Sequence, residues 1–185
     1  MGRLFLFFMD RVHRKMWRKA LEGLSLPDGA HLLDVGCGRG GALREMLRMF
    51  PGAAGTGVDI SEQSLCAARA ATGHDGKRCH FLKGEAGALP CPDGSMDLVT
   101  AFETVYFWPD LLQGLKECGR VLTPGGWLVL SLAAAGRNNG VLRAAGAVEI
   151  PSAAEMKGAM EAAGFAVVSV MPAGRKGFIL RGQKQ

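Results

Sequence analysis

A chain of 185 residues, 48% of them hydrophobic, has the length of one domain and enough apolar side chains to fill a core. The 27 glycines follow no Gly-X-Y period, which excludes a collagen-like fibre, and no apolar run reaches membrane-spanning length, so no stable membrane insertion is expected. The net charge of +5 permits nucleic-acid, membrane-surface or acidic-substrate contact, but the excess cations gather at the two ends without forming a basic arm and read as solvated faces.

Residues 2–24 carry an amphipathic helical pattern, with Leu4, Phe8, Val12 and Met16 on one stripe. Asp10-Arg11 cuts off the first apolar run, and no small-residue cleavage site follows, so a signal peptide is not expected. The segment 1–26 reads as a helical cap over the pocket of a domain spanning 27–185; a helix packed on the core and a membrane-surface helix are its other readings. Pro27-Asp28-Gly29 turns into the first strand.

Leu32-Leu33-Asp34-Val35 is a short buried-strand pattern. Gly36-Cys37-Gly38-Arg39-Gly40-Gly41 follows, and then a helical stripe over 42–50. Strand, glycine turn and helix make the opening unit of a nucleotide-binding α/β fold, because bare backbone and a helix N-terminus can both approach a ligand. The turn fits G-x-G-x-G through Gly36, Gly38 and Gly40, and equally G-x-G-x-x-G through Gly36, Gly38 and Gly41. Asp34 stands before it where a diphosphate would be repelled and an ammonium or sulfonium favoured.

Residues 54–60 read as the second strand, ending in Asp59-Ile60, with Ser61 capping a helix that runs to 71. An acid at that strand tip can accept both hydroxyls of a ribose. The third strand covers 80–84, with Glu85-Ala86 at its tip, and a two-proline loop leads to the fourth strand at 96–102. The run Glu103-Thr104-Val105-Tyr106-Phe107-Trp108 follows, then a helix over 110–122 and a fifth strand over 127–132. Residues 133–149 read as a mobile connection. A helix to about Ala163 ends at Gly164, and strands 165–171 and 177–181 close the chain as an antiparallel hairpin. The fold class is therefore α/β: a Rossmann-like, doubly wound, mostly parallel sheet with a C-terminal antiparallel hairpin. The five cysteines are scattered, without a C-x-x-C pair; they suggest no metal site and no disulfide framework, and fit a reducing cytoplasm.

Four stretches in order resemble the class I S-adenosylmethionine-dependent methyltransferases, in the small-molecule branch of the ubiquinone/menaquinone-biosynthesis type. They are Leu33–Gly40, Gly57–Ser61, the region from Glu85 to Asp97, and Arg120-Val121-Leu122-Thr123-Pro124-Gly125-Gly126; the resemblance covers most of residues 30–182. It implies S-adenosylmethionine as cofactor and a small-molecule methyl acceptor. In its terms Gly36, Gly38 and Gly40 pack against the methionine end and ribose, and Asp34 meets the methionine ammonium. Asp59 takes the ribose hydroxyls and Ile60 lies on the adenine. Glu85, where the family often has Asp, and the Ala86 N–H meet the adenine edge. Phe102 and Glu103 face the methionine moiety and the reacting methyl.

Glu103 and Tyr106 are the candidates to bind or deprotonate the acceptor, against the plainer reading of 106–108 as a pocket wall. The Asn/Asp-Pro-Pro-aromatic motif of base-methylating enzymes is not present after the fourth strand, so nucleic acid is disfavoured as a partner. The brief region after the fifth strand leaves a large acceptor pocket to be completed by the first helix or by a second subunit of a homodimer. An RNA or protein methyltransferase, a nicotinamide dehydrogenase and a non-catalytic cofactor binder are the competing readings.

Overall fold

The computed structural model describes residues 13–133, 146, 150–173 and 177–185. Helix α1 occupies residues 13–21; the remainder of the expected first helix, and nearly all of the connection after the fifth strand, lie outside the described residues. The other elements are β1 (His31–Val35), α2 (Gly41–Met49), β2 (Ala54–Asp59), α3 (Glu62–Ala71), β3 (Cys79–Lys83), β4 (Met96–Phe102), α4 (Leu111–Val121), β5 (Leu122–Ala133), α5 (Ala153–Ala162), β6 (Phe165–Pro172) and β7 (Gly177–Lys184).

They build one seven-stranded sheet in the order β3-β2-β1-β4-β5-β7-β6. The first five strands of that order run parallel, and β7 pairs antiparallel with both β5 and β6. Strand side chains alternate between two apolar layers. Leu32, Leu98, Val129 and Ile179 face α1, α2 and α3. Leu33, Val99, Leu128 and Leu180 face α4 and α5. Helices on both faces explain why Leu32-Leu33 and Leu98-Val99, neighbours that point to opposite faces, are all apolar.

Local sequence sets the boundaries. The Ser61 hydroxyl accepts from Ser64 N–H to cap α3, Asp110 caps α4 through Gln113 N–H, and Ser152 with Glu155 forms a capping box on α5. Gly164, at φ +92°, ends α5. Strand β5 begins five residues earlier than expected: Met96 pairs with Leu122, and the register then shifts so that Leu98 pairs with Trp127. The Pro124-Gly125-Gly126 turn is thus an irregularity within a strand rather than its preface.

Helix α1 is fastened through its cations. Glu45, fully buried on α2, receives Arg14 at 3.3 Å, Arg18 at 2.5 Å and Arg48 at 3.2 Å. The Arg181 guanidinium donates to the carbonyls of Lys19 and Ala20, and Lys19 Nζ donates to Pro172 O. Arg14, Arg18, Lys19 and Arg181 therefore hold α1 to α2 and to the closing hairpin, where the sequence suggested solvated faces. No helix among the described residues is long and apolar enough to cross a membrane.

Burial opposes ionisation of Glu45, but hydrogen bonds from Arg18 and Arg48 and the charges of Arg18 and Arg14 hold its carboxyl below the usual value. A lowered acid contributes stability above its unfolded pKa and loses it as pH falls through the folded one. Glu45→Gln should cost about 1–2 kcal/mol at neutral pH, less than a fully buried pair because the arginines are half-exposed. Urea unfolding checks this, and the deficit should shrink under acid conditions.

Candidate active site

The strand order reverses direction between β1 and β4, which opens a crevice at the carboxyl ends of the two strands. The glycine turn fills one side. Gly36 N–H and Cys37 N–H both donate to Val58 O, at 2.7 and 3.0 Å, tying the turn to β2. Gly36, Gly38 and Gly40 all have left-handed φ, whereas Gly41 is the first residue of α2. Of the two glycine templates, the backbone thus follows G-x-G-x-G. A Cβ at Gly36 would overlap the Thr104 side chain, but one at Gly38 would meet nothing within 4 Å. Gly36 is needed for packing, and the Gly38 backbone borders open space.

Asp59 links the turn to the β2 tip. Its Oδ2 accepts from Gly38 N–H and its Oδ1 from Ser61 N–H, both at 2.8 Å. Ser61, not Asp59, is the α3 cap. Each carboxylate oxygen of Asp59 retains lone-pair capacity beyond its one backbone donor. Beside it the Ile60 side chain is 71% exposed.

Two adjoining cavities occupy the crevice. The first, about 360 Å³, is lined by Asp59, Ile60, Glu85 and Ala86 at the β2 and β3 tips, and by Thr104 and Phe107 beyond β4. The second, about 230 Å³, is lined by His13 and Trp17 from α1, Asp34 from β1, and Arg39, Gly41 and Ala42 at the start of α2. Gly36, Phe102 and Glu103 line both. Of the residues singled out from sequence, Gly38 and Gly40 shape the turn without lining either cavity, and Tyr106 lies behind the wall, buried.

Glu103 is the sole described non-glycine residue with positive φ, at +58°. Such a backbone costs on the order of 1 kcal/mol or more and persists where surroundings impose it. Its N–H donates to Ser131 O at 2.9 Å, and its Oε2 accepts from the Tyr106 hydroxyl at 2.8 Å. Ser131 Oγ stands 3.5 Å from Oε1. Burial and then the Glu103 charge push the Tyr106 pKa far up, so this phenol stays protonated and serves as a donor.

Asp34 is almost fully buried, and its Oδ1 accepts from Thr100 Oγ at 2.8 Å. Burial pushes its pKa up to about 7; the Thr100 hydrogen bond opposes this and the Asp59 charge adds to it. His13, Trp17, Arg39 and Ser131 were not assigned to the site from sequence. Trp17 stands beside the Met16 stripe of the first helix, but nothing local marks Ser131, which reaches Glu103 only through strand pairing.

The loop between the third and fourth strands is held from α4. Arg120 donates to both carboxylate oxygens of Glu117 and to the carbonyls of Leu89 and Cys91, while Leu89 N–H donates to Glu117. This network accounts for the Arg120 position in the segment before β5.

Residues 33–130 match the family described as methyltransferase domain. The chain is 40% identical over 123 residues to the 2-methyl-6-phytyl-1,4-hydroquinone methyltransferase of Synechocystis sp., covering 66% of this chain and 37% of that protein. It is 40% identical over 115 residues to the demethylmenaquinone methyltransferase of Chlorobaculum tepidum, covering 62% of this chain and 44% of that one. The chain therefore spans less than half the length of these curated relatives. A structure of a SAM dependent methyltransferase from Aquifex aeolicus aligns over 100% of both chains with a TM-score of 0.78 at 22% identity, a likeness of fold.

An acid whose pKa is raised on folding holds its proton more tightly in the native state, so its contribution to stability falls as pH rises from the unfolded value towards about 7. Asp34→Asn should therefore gain stability relative to the parent across that window, by up to roughly 1.4 kcal/mol per pH unit. Unfolding midpoints of the two proteins at pH 5, 6, 7 and 8 check this; parallel curves would contradict it.

Proposed function

Because the chain belongs to the methyltransferase-domain family, we propose that it transfers a methyl group from S-adenosylmethionine to a small, partly hydrophobic acceptor. The observation that carries this reading is the pair of adjoining cavities at the β1/β4 switch point, one rimmed by the Asp59 carboxylate and the other by Asp34. The residues fit such a cofactor. Open space over the Gly38 backbone admits a ligand, and the exposed Ile60 side chain offers an apolar face to cover.

In this reading Asp59 accepts the ribose hydroxyls and Ile60 lies against the adenine. The Glu85 carboxylate and the Ala86 N–H serve the adenine edge. Gly36 brings bare backbone to the ribose and methionine end, and Gly38 and Gly40 serve that end by shaping the turn that carries it. Asp34 meets the amino-acid ammonium, and the positive N-terminal end of α2, with Arg39, suits the carboxylate. Bound there, the sulfonium supplies an already activated methyl group. The task left to the chain is to align the acceptor and exclude water. Trp17 and Phe102, with ring centroids 6.5 Å apart, form an apolar wall for that purpose. Residues 1–26 then act as a cap on the domain 27–185, with the described part of α1 as a fixed wall. Phe102 and Glu103 face the reacting methyl, and Glu103, with Tyr106 donating to it, is the group that can take an acceptor N–H or O–H.

The names of the two relatives above support a hydrophobic ring acceptor. The alternative of an RNA methyltransferase loses ground, because several cations that motivated it are engaged in holding α1. A cytoplasmic setting, argued from the scattered cysteines, and a homodimer that completes the acceptor pocket are parts of the same proposal.

An S-adenosylhomocysteine-release assay across hydrophobic phenols and quinols, RNA and protein tests the reading. Release is expected with the small molecules, and turnover confined to RNA or protein would overturn it. Asp59→Ala should weaken S-adenosylmethionine binding by at least about tenfold, or 1.4 kcal/mol, with the fold intact by circular dichroism. Near-parental affinity in that folded variant would remove Asp59 from the ribose site. Because Asp34 titrates near 7, pairing with an ammonium should release a proton on cofactor binding at pH 6–7. Calorimetry in buffers of different ionisation enthalpy should detect that proton in the parent and not in Asp34→Asn.

A further inference from the structure

The two cavities share three residues, Gly36, Phe102 and Glu103. Gly36 has no side chain and Phe102 no charge, so Glu103 is the single ionisable group common to both. Its orientation is imposed from several sides. The backbone is held left-handed at φ +58° with its N–H on Ser131 O. Tyr106 donates to one carboxylate oxygen at 2.8 Å, and the Ser131 hydroxyl faces the other at 3.5 Å. Both Tyr106 and Ser131 are buried. Glu103 is thus held by hydrogen bonds at both carboxylate oxygens.

If the reading above holds, on which this inference rests, the nucleoside and amino-acid ends of S-adenosylmethionine occupy different cavities, and sulfur is the atom that joins those ends. We infer that Glu103 is a charge-selecting residue: it attracts the cationic sulfonium and not the neutral thioether of S-adenosylhomocysteine, so the protein favours loaded cofactor over spent product. Tyr106 and Ser131 are positioning residues that hold that carboxylate at the junction. Asp34 lines the second cavity alone and has no part in this discrimination; it serves the ammonium, which both ligands carry.

Isothermal titration of the full chain with S-adenosylmethionine, S-adenosylhomocysteine and sinefungin, whose amine supplies a cation in place of the methylated sulfur, tests this without any acceptor. The parent should bind S-adenosylmethionine and sinefungin about tenfold or more tighter than S-adenosylhomocysteine, as one attraction to a partly desolvated charge would give. Glu103→Gln should bring the three affinities to within about threefold by weakening the two cationic ligands. Asp34→Asn should weaken all three together. Tyr106→Phe and Ser131→Ala should narrow the preference part-way, and they decide the matter if Glu103→Gln does not fold. An unchanged preference in Glu103→Gln, or in both positioning variants where that protein is lost, overturns the inference while cofactor binding stands. A parent that binds none of the three ligands overturns both the inference and the function it rests on.

Discussion

The site depends on how closely β1 and β4 deliver their ends to one another. At the switch point the Gly36 backbone packs directly on Thr104, with no room for a Cβ between them. That contact places the glycine turn against the segment leaving β4, and every cavity-lining group is set relative to it. A side chain at Gly36 would force the two apart and widen the junction at Glu103. The hydrogen bonds of Gly36 and Cys37 to Val58 O and of Gly38 to Asp59 then bring the β2 tip into the same frame. Three strand ends are thereby tied to the backbone of one turn, which leaves little room for movement. Such pre-organisation is what a cleft for a flexible cofactor needs if binding is not to be spent on ordering the protein.

Much of this was legible in the chain because local chemistry dictated it. Residues 96–102 form a strand because they are a mostly apolar run, interrupted by Asp97 and Thr100, that is buried between two parallel neighbours. Ser61, Asp110 and Ser152 mark helix starts because a side-chain oxygen one turn from an unpaired N–H is a local solution. The choice between the two glycine templates was not legible. It rests on whether Gly40 or Gly41 is the first helical residue, a boundary set by the left-handed φ of Gly40.

Long-range charge pairing was the other blind spot. Glu45 lies in a helix beside buried Leu43 and Met46, and Arg14 and Arg18 lie on another helix, so sequence spacing carries no sign that one buried carboxylate gathers them. The consequence is mechanical. Helix α1 is fixed to α2 by ion pairs and to the closing hairpin by Arg181 and Lys19, with Trp17 against Phe102. Over its described length it is a wall of the crevice. His13, Met16 and Trp17 are the α1 residues that line it.

The remaining constraint is electrostatic. Asp34, Asp59 and Glu103 crowd one crevice, and like charges in partial burial oppose one another. The fold separates them by environment. Asp59 is bound by two backbone N–H groups, Glu103 receives hydroxyls, and Asp34, the most buried of the three, responds by holding its proton up to about neutral pH. An arrangement of this kind is poorly matched to an anionic diphosphate and well matched to a ligand with two cationic centres. That match, more than the glycines, is what argues for the methyl-donor reading over a nicotinamide one: the glycine turn and the proposed Asp59 ribose site would admit either ligand, and it is the further acids Asp34 and Glu103 that disfavour a diphosphate.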